Sequence, residues 1–144
     1  VQSSTSKSAM IRAVYEGIVF AHRYHVEQLL KVLGHKPKAI RLSGGGTNSI
    51  AWVQIFANIL NIPIQLVEGS ELGGLGGAMG TAVGTGTYET INEAVENMFH
   101  LRTIVYPDEK QVDVYEKKYQ MYIKLLDSLD GTWKDLKTMQ EGIG

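Results

Sequence analysis

From Ser8 onward the apolar residues Ile11, Val14, Ile18, Val26, Leu29, Leu30 and Leu33 recur at helical spacing, with polar residues between them. That spacing gathers them on one side of an α-helix. Gly34 is placed to end the helix in a left-handed conformation, and Pro37 prevents it from resuming. Ala39–Leu42 reads as a short strand running into the consecutive glycines Gly44, Gly45 and Gly46. Asn48 or Ser49 can cap a second helix whose face carries Ile50, Val53, Phe56, Ala57 and Leu60. Pro63 stops it, and Ile64–Val67 reads as a second strand.

The stretch Glu71–Gly84 holds glycines at 73, 74, 76, 77, 80 and 84. Glycine costs a helix roughly 0.5–1 kcal/mol per residue relative to alanine, so a flexible loop competes with a helix here. Leu72, Leu75, Met79 and Val83 keep a helical period. The favoured reading is a helix with a bare face, open to the close approach of another backbone or a ligand. Thr90–Glu93 has the form of a capping box and opens a short helix through Met98. Arg102–Tyr106 is predicted as a third strand, stopped by Pro107. A last amphipathic helix carries Val112, Tyr115, Tyr119, Tyr122, Leu126 and Leu129. Its tyrosines fall at helical spacing and are assigned to packing. Residues 1–7 and 134–144, the latter following Trp133, are expected to be flexible.

Strands alternating with helices indicate an α/β domain with a short sheet flanked by helices. Three strands make a thin sheet for 144 residues, as expected if further strands come from a longer polypeptide. A start at Val1, without Met and in a polar run, points the same way. A formal net charge of −1 gives no basic footprint for nucleic acid. No apolar run approaches the roughly 20 residues that span a bilayer, so no membrane partner is expected. The chain has no cysteine, which excludes a disulfide scaffold and sits comfortably with a reducing cytoplasm. His22, His25, His35 and His100 show no metal-ligand spacing.

The candidate chemistry lies in Ser43–Ser49. A strand, a run of glycines and a helix form a general solution for phosphate binding. Backbone N–H groups approach the anion without a Cβ in the way, and the helix offers unpaired amides and the positive end of its dipole. A tight turn without a ligand would look the same locally. No lysine follows the glycines, as a Walker loop requires. The dinucleotide pattern fails because its third glycine position, counted from Gly44 and Gly46, is Ser49; counted from Gly74 and Gly76 it is Met79. Protein-kinase signatures are absent as well.

Three segments in order resemble the FGGY family of carbohydrate kinases. Arg12-Ala13-Val14-Tyr15-Glu16-Gly17-Ile18-Val19-Phe20 is similar to the family's R-A-x-x-E-G-x-x-F helix. Ser43-Gly44-Gly45-Gly46-Thr47-Asn48-Ser49, followed by Trp52 and Gln54, resembles S-G-G-G-x-x-S-x-x-W-x-Q. Leu75-Gly76-Gly77-Ala78 stands where the family has A-L-G-A-A, with Gly74 and Gly77 in place of alanines. Within the family the nearest likeness is to xylulose- and L-xylulose-type kinases.

The resemblance implies a partial ribonuclease-H-like domain of the actin-like ATPase superfamily, with residues 1–144 forming the second half of the C-terminal nucleotide-binding domain. It implies ATP contacts at Gly44, Gly45, Gly46 and Asn48, with Ser49 near the adenine, and Mg2+ whose ligands lie mostly outside this chain. The implied activity of the parent protein is transfer of the ATP γ-phosphate to a sugar hydroxyl, a ketopentose such as xylulose. Its catalytic aspartate and most of its sugar pocket belong to an N-terminal domain with no counterpart here, so this chain alone is expected to be inactive. None of Asp108, Asp113, Asp127, Asp130 or Asp135 matches a catalytic position. The expected partners are that missing domain, the sugar and a second copy of the chain. The alternative is a noncatalytic actin-like module that binds a nucleotide or a partner domain. On the bland reading Arg12 and Glu16 form only an i,i+4 pair, worth about 0.2–0.5 kcal/mol, and Trp52 is a packing residue.

Overall fold

The computed structural model describes residues 5–69 and 71–142, apart from the side chain of Lys134. Its elements are α1 (Lys7–Leu33), β1 (Ile40–Leu42), a 3-10 turn (Gly45–Asn48), α2 (Ile50–Leu60), β2 (Ile64–Val67), α3 (Leu72–Gly84), α4 (Ile91–Met98), β3 (Leu101–Val105) and α5 (Glu109–Glu141). Most helices begin where a side chain can take up an amide left free at the first turn. Ser6, Ser49, Thr90 and Asp108 accept from the backbone N–H groups of Ala9, Trp52, Glu93 and Lys110 respectively. Gly34 ends α1 at φ 76° as its position predicts, and its N–H donates to Leu30 O. Asn61, not foreseen as a cap, ends α2 at φ 50°; asparagine is among the residues that tolerate this conformation. Glu93 completes the predicted box by accepting at 2.8 Å from the amide of Glu89, one residue before the cap.

The strands lie in the order β1-β2-β3, with β1 parallel to β2 and β3 antiparallel to β2. The parallel pair requires a crossover, which α2 supplies. Ile40, Ile64 and Val105 align in one row and Leu42, Leu66 and Thr103 in another, with Arg41, Gln65 and Ile104 between them. Side chains alternate across a strand, so the two outer rows share a face. On that face Ile64, Leu66 and Val105 are buried with Val19 and Phe20 of α1, Val53, Phe56, Ala57 and Ile59 of α2, and Tyr115 and Tyr119 of α5. The tyrosine stripe is core, as its spacing predicts. Helix α2 is the hub, packed against α1, α5 and two of the strands.

Three features differ from the sequence expectation. Strand β3 spans Leu101–Val105, one residue earlier than predicted, because pairing with β2 rather than Pro107 sets its limits. Helix α5 runs on to Glu141, where looser order is expected after Trp133. Beyond Trp133 the segment has no proline, is rich in helix formers and carries a Lys137–Glu141 pair at 3.7 Å. Residues 1–4 and 143–144 of the expected flexible ends lie outside the described residues. Finally, α3 is helical as favoured, but among the described residues nothing approaches its bare face. A Cβ built on Gly73, Gly76, Gly77 or Gly80 meets no atom within 4 Å, and the helix packs chiefly against α4. Among the described residues no helix is long and apolar enough to cross a membrane.

Candidate functional site

The loop after β1 opens with Gly44 at φ 104°, a conformation that favours glycine. It then closes into the 3-10 turn, held by Thr47 N donating to Gly44 O at 3.0 Å and Thr47 Oγ1 donating to the same oxygen at 2.7 Å. The first amides of such a turn have no partner within it. Ser49 follows and caps α2, its Oγ accepting from Trp52 N at 3.4 Å. The loop therefore presents glycine backbone beside the N-terminus of an 11-residue helix, at the carboxyl ends of two parallel strands. Open α/β sheets bind their ligands in that crevice.

A cavity of about 260 Å3 lies there, lined by Gly44, Gly45, Thr47 and Asn48 of the loop and turn together with Gly69, Leu72 and Arg102. Of the residues singled out from sequence, Gly44, Gly45 and Asn48 line it, whereas Gly46 and Ser49 do not. Gly46 backs onto Trp52: a Cβ there would lie 2.9 Å from the indole Nε1. Trp52 is fixed edge-on by Tyr15 at 4.6 Å and Phe56 at 5.3 Å between ring centroids, so it is a packing residue behind the loop. Gly69 and Arg102 line it as well, and neither belongs to a sequence motif. Arg102 enters because β3 is antiparallel to β2, which brings the start of β3 level with the end of β2. Its Nη2 donates to Thr47 O at 2.9 Å across 55 positions of sequence, and no local signal announces such a contact.

The α1 residues that carry the family likeness serve elsewhere. Glu16 is buried and accepts from Arg12 Nε at 2.9 Å, Tyr115 Oη at 2.9 Å and Lys118 Nζ at 2.7 Å. Burial by itself pushes this carboxyl up, but the bonds from Lys118, Arg12 and Tyr115 together hold it below the usual glutamate value. The Arg12–Glu16 pair is thus part of a seam between α1 and α5. The four histidines are exposed: the His22 ring lies against Phe56 and His25 against its neighbour Tyr24, His35 Nδ1 is 3.2 Å from Leu33 O, and the backbone carbonyl of His100 accepts from Glu68 N. Among the described residues no three His, Asp or Glu side chains gather where they could hold a metal ion.

A glycine turn and a helix N-terminus thus meet beside a cavity at the strand ends, an arrangement suited to an anion. Comparison with known proteins supplies the lineage. Residues 1–85 match the FGGY family of carbohydrate kinases, C-terminal domain, and the chain belongs to that family. It is 31% identical over 131 residues to the L-xylulose/3-keto-L-gulonate kinase of Escherichia coli (strain K12), covering 91% of this chain and 26% of that protein. It is 29% identical over 139 residues to a xylulose kinase of Staphylococcus epidermidis, covering 96% of this chain and 28% of the relative. The crystal structure of ligand-bound xylulose kinase from Lactobacillus acidophilus superposes with a TM-score of 0.84 at 26% identity, over 94% of this chain and 27% of that one. The fold is therefore that of the FGGY kinases, an actin-like ATPase fold, and the chain spans about a quarter of the length of these relatives.

Proposed function

We propose that the polypeptide to which this chain belongs transfers the terminal phosphoryl group of ATP to a hydroxyl of a small sugar, and that this chain supplies the nucleotide side of the cleft. The observation that carries this reading is the position of Gly44 and Gly45, which line a cavity at the carboxyl ends of β1 and β2. The residues fit a phosphate. A Cβ at Gly45 would meet nothing within 4 Å, so the space before that backbone is open, and the amides beginning the turn have no partner within it.

Gly44 and Gly45 would hold phosphate oxygens through backbone N–H groups, and the positive end of α2 favours the same charge. Asn48 adds an amide side chain to that wall. Gly46 and Ser49 support it from behind, the first by admitting Trp52 and the second by fixing the start of α2. Bound MgATP supplies the activated phosphoryl group, with the metal held mostly from outside this chain. Positioning and charge stabilisation account for most of the catalysis in such transfers, and the residues named here orient the donor. No residue of this chain is assigned to the sugar or to the base that takes its proton; these belong to the N-terminal domain in this reading. The names of the relatives favour a ketopentose such as xylulose as the acceptor.

The test is Gly45→Val in the full-length protein. Gly45 lines the cavity, has no positive φ and has open space around a built Cβ, so a side chain there fits without strain on the fold. The KM for ATP should rise roughly tenfold or more while that for the sugar stays within about twofold. Unchanged ATP kinetics would remove the loop from the nucleotide site.

A further inference from the structure

We propose that Arg102 is a nucleotide-contacting residue, a guanidinium that ties the glycine loop to the sheet and presents positive charge to the ligand's phosphates. This inference rests on the nucleotide reading given above and deepens it. The four arginines differ in how their charge is met. Arg12 pairs with Glu16, and Arg23 with Glu27 and Glu116. Arg41 lies over the ring of Phe99 at 4.4 Å and donates to Gln65. Arg102 has no carboxylate within ion-pair distance and no ring among the described residues. Among the described residues its one hydrogen bond goes to a backbone carbonyl of the very turn that borders the cavity, and it lines that cavity itself.

A guanidinium has five N–H donors in a planar fork suited to phosphate oxygens. One of the five is used on Thr47 O, which fixes the side chain beside the cavity and leaves the other donors without a protein partner among the described residues. Glycine amides supply only partial charges, so a full positive charge in the same cavity lining complements them. Leu72 and Gly69, which also line it, carry none. Arg102 is exposed, so its attraction for an anion is reduced by salt.

The decisive comparison is between ADP and adenosine binding to the full-length protein, by calorimetry, for the native sequence, Arg102→Gln and Arg102→Lys. Glutamine keeps a donor for Thr47 O and removes the charge; lysine keeps the charge and loses the fork. The expected result is that Arg102→Gln weakens ADP binding about tenfold and leaves adenosine binding within about twofold. Arg102→Lys should fall between native and Arg102→Gln for ADP. Native affinity should decline with added salt for ADP and not for adenosine, a reading that requires no variant. Equal losses for ADP and adenosine, or unchanged ADP binding in Arg102→Gln, would overturn the proposal and leave Arg102 only as a loop anchor. A native protein that binds neither ligand would overturn the nucleotide reading itself, and this inference with it.

Discussion

Gly46 is glycine for a different reason from its neighbours. Gly44 needs the backbone freedom of its φ of 104°, and Gly45 keeps the cavity open, whereas Gly46 makes room for the edge of an indole. A Cβ at Gly46 would lie 2.9 Å from Trp52 Nε1 and 3.2 Å from its Cδ1. Trp52 has little freedom to retreat, because Tyr15 and Phe56 hold it edge-on from other directions. Gly46→Ala should therefore lower stability by about 1–3 kcal/mol, as overpacking does. Urea unfolding reads this as a lower midpoint, and near-ultraviolet circular dichroism as a changed tryptophan band. A midpoint equal to native would mean that the indole yields freely. Three identical letters in sequence thus carry three separate demands. The motif is legible because its residues are consecutive; the division of labour is not, because Trp52 reaches Gly46 only once α2 is in place.

Two helices far apart in sequence, α1 and α5, are joined by a polar seam. Glu16 draws donors from both of them. About two turns further along α1, Arg23 bonds to Glu27, to Ile59 O and to Glu116 at 2.6 Å, and lies 3.9 Å over the Tyr119 ring. Tyr119 in turn donates to Glu27 at 2.8 Å. The i,i+4 spacing of Arg12 and Glu16 is visible in sequence, but the burial that makes the pair matter comes from α5 lying across it. The folded-state pKa of Glu16 lies below its unfolded value. Its contribution is therefore complete above the ordinary glutamate pKa and is lost as pH falls through the folded value. Stability should decline on acidification below about pH 4. Glu16→Gln should cost about 1.5–3 kcal/mol at neutral pH, toward the lower end because Arg12 and Lys118 are half exposed. It should also flatten the acid slope, measured as urea midpoints across a pH series. An unaltered slope would assign the acid sensitivity to other carboxylates.

At the scale of the whole molecule, one side of the fold lacks cover. Strand β1 is an edge of the sheet, and α1 exposes Ile11, Val14, Tyr15 and Ile18 at helical spacing, with Val14 62% accessible. An apolar stripe of this kind normally packs against something. The relatives are about four times as long, so a parent protein of their length would have other segments to cover it. The isolated chain should self-associate at high concentration, seen in sedimentation velocity as species heavier than 15.9 kDa. The double variant Val14→Lys, Ile18→Lys should return it toward monomer. A native chain that stays monomeric at high concentration would show that the stripe tolerates water.

The sequence by itself determined the element order, the α/β class, the glycine loop at the end of the first strand and the family. Each of these rests on residues close together in the chain: apolar spacing, caps, proline stops and short motifs. Tertiary structure decided which loop residues face the cavity, that Arg102 joins them from the third strand, and that Glu16 is buried. These depend on strand direction and helix crossing, which bring together positions more than fifty residues apart and leave no trace in local spacing.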